Sequence, residues 1–351
     1  MRPNWTPDDL PNLRGKTAIV TGGNSGVGYY TALELAKHGA KVIIGSRDPK
    51  RGEESIIKMK QTAPNIDITV EPLNLADLKS VRSFADTIHG KVKGIDVLIN
   101  NAGVMAVPTR ELTADGFEMH FGTNHLGHFA LTGLLLPLIE KNHGRIVTVS
   151  AQSAQMGDLD FSDLKMDRKY RPMAGYNRSK LSNILFAREL NRRAKKKGIT
   201  SIAVHPGTSP TGIGRNAPKG TKAFGLLLMK IFGTPPDQSS WPSLIAATDS
   251  TITGDIYLGL GMNPLKAKKP KYVDFPKKAL DVQLAEKLWL LSEKLTGVHY
   301  DLKKHFFAYR PVKMNRITYA RSLRKRRKDS SIKKKVAYLA TFLFYRYKFL
   351  S

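Results

Sequence analysis

Thr21-Gly22-Gly23-Asn24-Ser25-Gly26-Val27-Gly28 decides the fold, because it lies between the apolar run Ala18-Ile19-Val20 and residues 29–38, which read as a helix. Strand, glycine turn and helix in that order form a nucleotide-binding entry. Gly22 permits a tight turn, Gly26 lets the backbone approach a pyrophosphate, and Gly28 lets the helix pack closely on the strand with its N-terminus toward the phosphates. Asn24, Ser25 and Val27 complete this cradle. The spacing departs from G-x-G-x-x-G, so the turn by itself is also compatible with an ordinary glycine-rich loop.

Outward from the turn, apolar strands alternate with helical patterns. Strands are expected at residues 41–45, 68–70, 95–99, 145–150 and 199–205, and helices at 78–89, 117–140 and 173–197. Such alternation specifies an α/β fold with a doubly wound parallel sheet, and runs such as Asp96-Val97-Leu98-Ile99 suit strands buried on both faces. The 351 residues, 41% hydrophobic, suffice for one Rossmann-type domain, placed at residues 14–300 after an arm at 1–13. A helix is expected over residues 279–296, with Trp289 in the core and Gly297 as a C-terminal cap.

Tyr176 and Lys180 stand four apart in Gly175-Tyr176-Asn177-Arg178-Ser179-Lys180-Leu181, on one helical face. An ammonium near a phenol favours the phenolate, so Tyr176 is a candidate to exchange a proton with a substrate oxygen. Three further segments follow strands or open helices in a fixed order: Asn100-Asn101-Ala102-Gly103, Gly122-Thr123-Asn124-His125-Leu126-Gly127-His128, and Pro206-Gly207.

Together these motifs resemble the short-chain dehydrogenase/reductase family over residues 14–300. Tyr176-Asn177-Arg178-Ser179-Lys180-Leu181-Ser182-Asn183 and His205-Pro206-Gly207-Thr208 are similar to its retinol-dehydrogenase and WW-domain-oxidoreductase branch, with its bacterial members. The resemblance implies that Tyr176 is the acid in reduction and the base in oxidation. It also implies that Lys180 lowers the Tyr176 pKa and holds the nicotinamide ribose. Asn124 would bind the water of a proton relay. Asn101, Ala102 and Gly103 would line the cofactor cleft, with Pro206, Gly207 and Thr211 at the nicotinamide end.

One residue departs from that pattern. The family serine that hydrogen-bonds the reacting oxygen is the second of a Val-Ser-Ser run, and here Val149-Ser150-Ala151-Gln152-Ser153 puts Ala151 there. Strand alternation turns Ser150 to the other face. If the backbone bends, Ser153 could replace the hydroxyl; a plain loop serine is equally compatible. Losing one such donor typically costs about a hundredfold to a thousandfold in turnover. The main expectation is an NADP-dependent alcohol/carbonyl oxidoreductase acting on an apolar substrate. The alternative is a cofactor-binding sensor or scaffold with weak or lost catalysis.

At the end of the second strand Ser46-Arg47-Asp48 lacks the carboxylate that grips the ribose in NAD sites, and Arg47 suits a 2′-phosphate. NADP is therefore favoured over NAD. Asn74 and Leu75 occupy the segment that contacts adenine in the family. Residues 155–172 and 208–236 should control substrate choice, and the apolar run at 223–232 reads as a lid for a greasy substrate or as a helix on its own core.

Residues 301–351 carry 16 Lys and Arg against 2 Asp, half of the chain's +28. Basic clusters such as Arg324-Lys325-Arg326-Arg327-Lys328 precede an aromatic and aliphatic run at 336–345, too short to span a bilayer. An anionic membrane surface is the first expected partner, ahead of a featureless tail and of nonspecific nucleic-acid contact. No cysteine occurs, and the nine histidines show no metal-ligand spacing, so His125 and His128 read as packing residues. The first nine residues lack an apolar signal core, and the expected location is cytoplasmic with attachment at the inner membrane face. Related folds pair through the helices carrying Phe129 and Phe186, which adds a homodimer to the partners to consider.

Overall fold

The computed structural model describes residues 5–207, 234–260 and 269–302. The lid run at 223–232, Thr211 and the basic tail lie outside these residues.

The sheet follows from strand parity. In β1 (Thr17–Thr21) Ala18 and Val20 face one core layer and Ile19 the other; β2 (Lys41–Ser46) repeats this with Val42 and Ile44 against Ile43. Both faces are apolar, so both are covered by helices. β3 (Ile68–Pro72), β4 (Val97–Asn100), β5 (Arg145–Val149), β6 (Thr200–His205), β7 (Tyr257–Leu260) and β8 (Pro270–Tyr272) complete the order β3-β2-β1-β4-β5-β6-β7-β8. All pairings are parallel except β7 with β8. The order reverses between β1 and β4, the switch point at which a doubly wound sheet opens a ligand crevice.

Helices α1 (Gly26–Lys37), α2 (Pro49–Thr62) and α3 (Leu78–Lys91) fill the first crossovers. Residues 117–140, expected as one helix, are broken into α4 (Met119–Phe121), a π-turn at Gly122–Leu126, and α5 (Gly127–Lys141). Burial continues unbroken through Gly122–Leu126, so side-chain periodicity does not mark the break. Tyr176 and Lys180 lie in α6 (Pro172–Ala194), followed by α7 (Pro236–Thr248) and α8 (Val282–Thr296). The expected helix at 279–296 starts later, because Asp281 caps α8 by accepting a hydrogen bond from the Leu284 amide. Gly297 ends it in the left-handed conformation.

Trp289 is core, as its place in the apolar stripe implied. It is 2% exposed and lies among Phe129, Phe186 and Tyr300, with ring centroids 4.6–6.0 Å away. The Tyr300 hydroxyl donates to the Phe129 carbonyl at 2.6 Å. The helix faces carrying Phe129 and Phe186 are thus covered by the chain's own C-terminal segment. Packing also runs past both ends of the domain assigned from sequence: Leu10, Leu13 and Leu302 are buried, and Trp5 meets Trp241 edge-on.

Candidate active site

The cradle is a place where side chains are absent for a reason. Gly22 and Gly26 have φ of 66° and 59°, which favour glycine. A Cβ at Gly28 would come within 2.4 Å of both the Gly22 carbonyl oxygen and Asn101 Nδ2, so α1 can meet β1 only without one. Ser25 begins α1 without a side-chain cap, which leaves first-turn amides available to an anion. Asn24 is half-buried and Val27 buried in the same turn. The far wall is tied to β1: the Asn101 and Ala102 amides donate to Thr21 Oγ1 at 2.9 and 3.0 Å, and Asn101 Nδ2 donates to the Thr21 carbonyl at 2.8 Å. These residues fit a dinucleotide.

Asn124, Tyr176 and Lys180 converge next to that wall. The π-turn carries Asn124, whose Nδ2 donates to Val104 O and Ser179 Oγ while its Oδ1 accepts from the Val104 amide at 2.8 Å. A Cβ at Gly103 would lie 3.0 Å from Asn124 Oδ1 and 3.5 Å from Lys180 Nζ, so the wall, the asparagine and the lysine are neighbours. Lys180 donates to the Val149 carbonyl at 3.0 Å and lies 5.8 Å from the centre of the Tyr176 ring.

Tyr176 and Lys180 are 6% and 4% exposed. Burial pulls the Lys180 ammonium down to about 8 and pushes the Tyr176 phenol above its ordinary value. Burial thus acts on Tyr176 against the lowering expected from Lys180. Loss of hydration penalises the phenolate more than an ammonium at this distance rewards it.

The β5 edge resolves the serine question in part. Ser150 has the parity of the buried Ile146 and Thr148, and its Oγ donates to the Lys180 carbonyl at 2.6 Å. It anchors α6 and has no proton left for a substrate. Ala151 is extended, and the chain bends after it into a 3-10 turn at Gln152–Met156. Ser153 lies in that turn with its Oγ buried and without a hydrogen-bond partner. The turn rests on α6, since a Cβ at Gly157 would meet the Asn177 carbonyl oxygen at 2.6 Å.

Three further residues, to which the sequence assigned no role, join this site. Tyr257 from β7 donates to the Ala151 carbonyl at 3.1 Å, a contact spanning 106 residues. His120 makes a buried 2.6 Å pair with Glu118 and lies edge-on to Tyr176, ring centroids 6.2 Å apart. Arg178, inside the catalytic motif, donates to the carbonyls of Asp158, Asp163 and Leu164 and so ties the expected substrate loop to α6. Only an Arg fork reaching several carbonyls at once does this.

At the adenosine end, Ser46 is buried and its Oγ donates to the Asp48 carbonyl. Asp48 caps α2 and pairs with Arg51 at 3.3 Å, so its carboxylate is engaged away from Arg47. Arg47 is exposed and makes no ion pair among the described residues. Asn74 Oδ1 accepts from the Ala76 amide, and Leu75 is buried beside Gly127. Pro206 and Gly207 are half-buried past β6, Gly207 at φ 77°.

Comparisons with known proteins agree with this arrangement. The profile described as short chain dehydrogenase matches residues 16–222. Retinol dehydrogenase 11 of Homo sapiens is 46% identical over 82% of this chain and 88% of its own length; retinol dehydrogenase 14 of Homo sapiens is 38% identical over 82% and 88%. A crystal structure of an uncharacterized protein from Mycobacterium paratuberculosis is 39% identical, with TM-score 0.70 over 85% of this chain and 99% of that one. The fold is also that of the Pseudomonas aeruginosa RhlG/NADP complex, at 21% identity and TM-score 0.56 over 71% and 95%.

Proposed function

The chain belongs to the short chain dehydrogenase family of oxidoreductases, and on that premise we propose that it is an NADP-dependent enzyme interconverting an apolar alcohol and its carbonyl. The observation that carries the reading is the convergence of Asn124, Tyr176 and Lys180 beside a glycine cradle without room for side chains. Gly22, Gly26, Gly28, Asn101 and Gly103 would hold the cofactor, which when bound supplies or accepts the hydride.

The chain's own residues handle the proton. Tyr176 gives its hydroxyl proton to the carbonyl oxygen in reduction and takes it back in oxidation. With its pKa at about 8, Lys180 can be recharged close to neutral pH, and Asn124 would bind the water of the relay. Ser153 supplies the hydrogen bond to the reacting oxygen in place of the residue at 151; its buried, unpartnered hydroxyl supports that role. Arg47 binds the 2′-phosphate, a reading supported by its exposure and by the engagement of Asp48 with Arg51. Apolar substrate preference is supported by Met156 and Met173, 70% and 44% exposed, on the turn and helix that carry Ser153 and Tyr176.

Basic residues 301–351 would hold the enzyme at an anionic membrane surface, each Lys or Arg contributing about 1 kcal/mol. The test is liposome flotation of the full chain against one ending after Leu302, because Leu302 is buried in the domain. Equal flotation would remove the membrane from the proposal. No helix among the described residues is long and apolar enough to cross a membrane.

The activity test is NADPH oxidation with a panel of apolar aldehydes and ketones, comparing the unmodified chain with Tyr176→Phe. Turnover by the first and none by the second is expected. Tight NADPH binding without turnover on any carbonyl would favour the sensor or scaffold reading that Ala151 raises.

A further inference from the structure

His128 is a buried histidine to which the proton chemistry above assigns nothing, yet its two nitrogens join the cofactor wall to the catalytic asparagine. Its Nδ1 lies 2.9 Å from the Asn124 carbonyl oxygen and its Nε2 2.8 Å from Thr21 Oγ1. A carbonyl only accepts, so Nδ1 carries the proton. Burial pulls the ring down to about 4, with Lys180 adding to the shift against the opposing bond to Asn124, so the ring is neutral and Nε2 is an acceptor. Thr21 must then donate to it.

Each Thr21 atom is accounted for on this basis. Its Oγ1 accepts from the Asn101 and Ala102 amides and has one proton to give. The His128 contact at 2.8 Å is shorter than the alternative to Ile99 O at 3.3 Å. A continuous chain therefore runs from the Asn101 and Ala102 amides through Thr21 and His128 to the Asn124 backbone, while the Asn124 side chain holds Val104 and Ser179. Asn124 sits in a π-turn, the part of this helix least fixed by regular backbone bonding, so a side-chain tie there has most to hold.

We propose that His128 is a positioning residue that couples ligand contact at the Asn101-Ala102-Gly103 wall to the placement of Asn124. The inference rests on the dinucleotide-dependent reading of the site. It predicts that NADPH binding slows amide hydrogen exchange in residues 119–129 of the unmodified chain. In His128→Phe that protection shrinks while NADPH affinity changes by less than about threefold, and kcat falls about tenfold with KM for the carbonyl nearly unchanged. His128→Asn and His128→Gln guard against a variant that fails to fold. Neither amide spans both partners, so both should fall short of full protection, whereas a packing role predicts that both restore it. The losses from Thr21→Val and His128→Phe should not multiply in the double variant. Retained NADPH binding with unchanged protection and kcat would overturn the role of His128 and leave the dehydrogenase reading standing.

Discussion

The cofactor cradle and the β5 edge face the same crevice but are built on different physical terms. At the cradle the requirement is an absence: no Cβ fits at Gly28, and Gly22 and Gly26 need positive φ. Such a requirement admits one residue type, so it is legible in sequence. At the β5 edge the requirement is a single hydroxyl near a reacting oxygen, which more than one position can supply. There the chain has Ala151 at the usual place, a bend after it, and Ser153 with a buried hydroxyl two residues on. Backbone-built parts of a site resist change, whereas parts supplied by one side chain can move.

The largest effect is expected from Tyr176→Phe, which removes the proposed proton donor. Turnover should fall by about a thousandfold or more with NADPH affinity nearly intact, measured by steady-state kinetics and titration. Surviving activity would transfer the proton role elsewhere. Gly28→Ala attacks the cradle, and its Cβ would overlap the Gly22 carbonyl oxygen. NADPH affinity should drop by about ten- to a hundredfold, with some loss of stability from the enforced shift. Unaltered binding would show that α1 gives way more readily than its contacts imply.

Arg47→Ala should reduce the preference for NADPH over NADH by about tenfold, the scale of one lost charge-assisted hydrogen bond. An unchanged preference would separate Arg47 from the 2′-phosphate. The smallest effect per residue is acid sensitivity. Burial holds His125, His128 and His205 at about 3, 4 and 4, below the ordinary 6.5. As pH falls below 6.5 the unfolded chain takes up protons that the folded chain refuses until about 4, so stability is lost across that window. Between pH 6.5 and 5.5 each ring contributes at most about 1.4 kcal/mol, and Tm should fall by several degrees. A flat Tm over that range would place these rings in contact with water.

Much of the fold was readable because its signals are local. Apolar runs, glycine spacing and the four-residue interval from Tyr176 to Lys180 each lie within one strand or turn. What escaped depends on distance or on breaks within uniform stretches. Tyr257 reaches Ala151, and His128 reaches Thr21, across more than a hundred residues. The π-turn at Gly122–Leu126 is hidden because its residues are buried like those on either side of it. Helices α2 and α7 and strands β7 and β8 have no expected counterpart from sequence, β8 being three residues long and mostly exposed. The effect of burial on the Tyr176 pKa was not legible, because charge spacing is visible in sequence and burial is not.

Whether Ser153 completes the site despite Ala151 is decided by single-turnover reduction of an apolar aldehyde with NADPH already bound. The unmodified chain and Ser153→Ala would be compared after confirming equal NADPH affinity. The rate is expected to be lower by about a hundredfold or more in the variant, the scale of one lost oxyanion donor, with partial recovery in Ala151→Ser/Ser153→Ala. Equal rates for the unmodified chain and Ser153→Ala would contradict the role of Ser153.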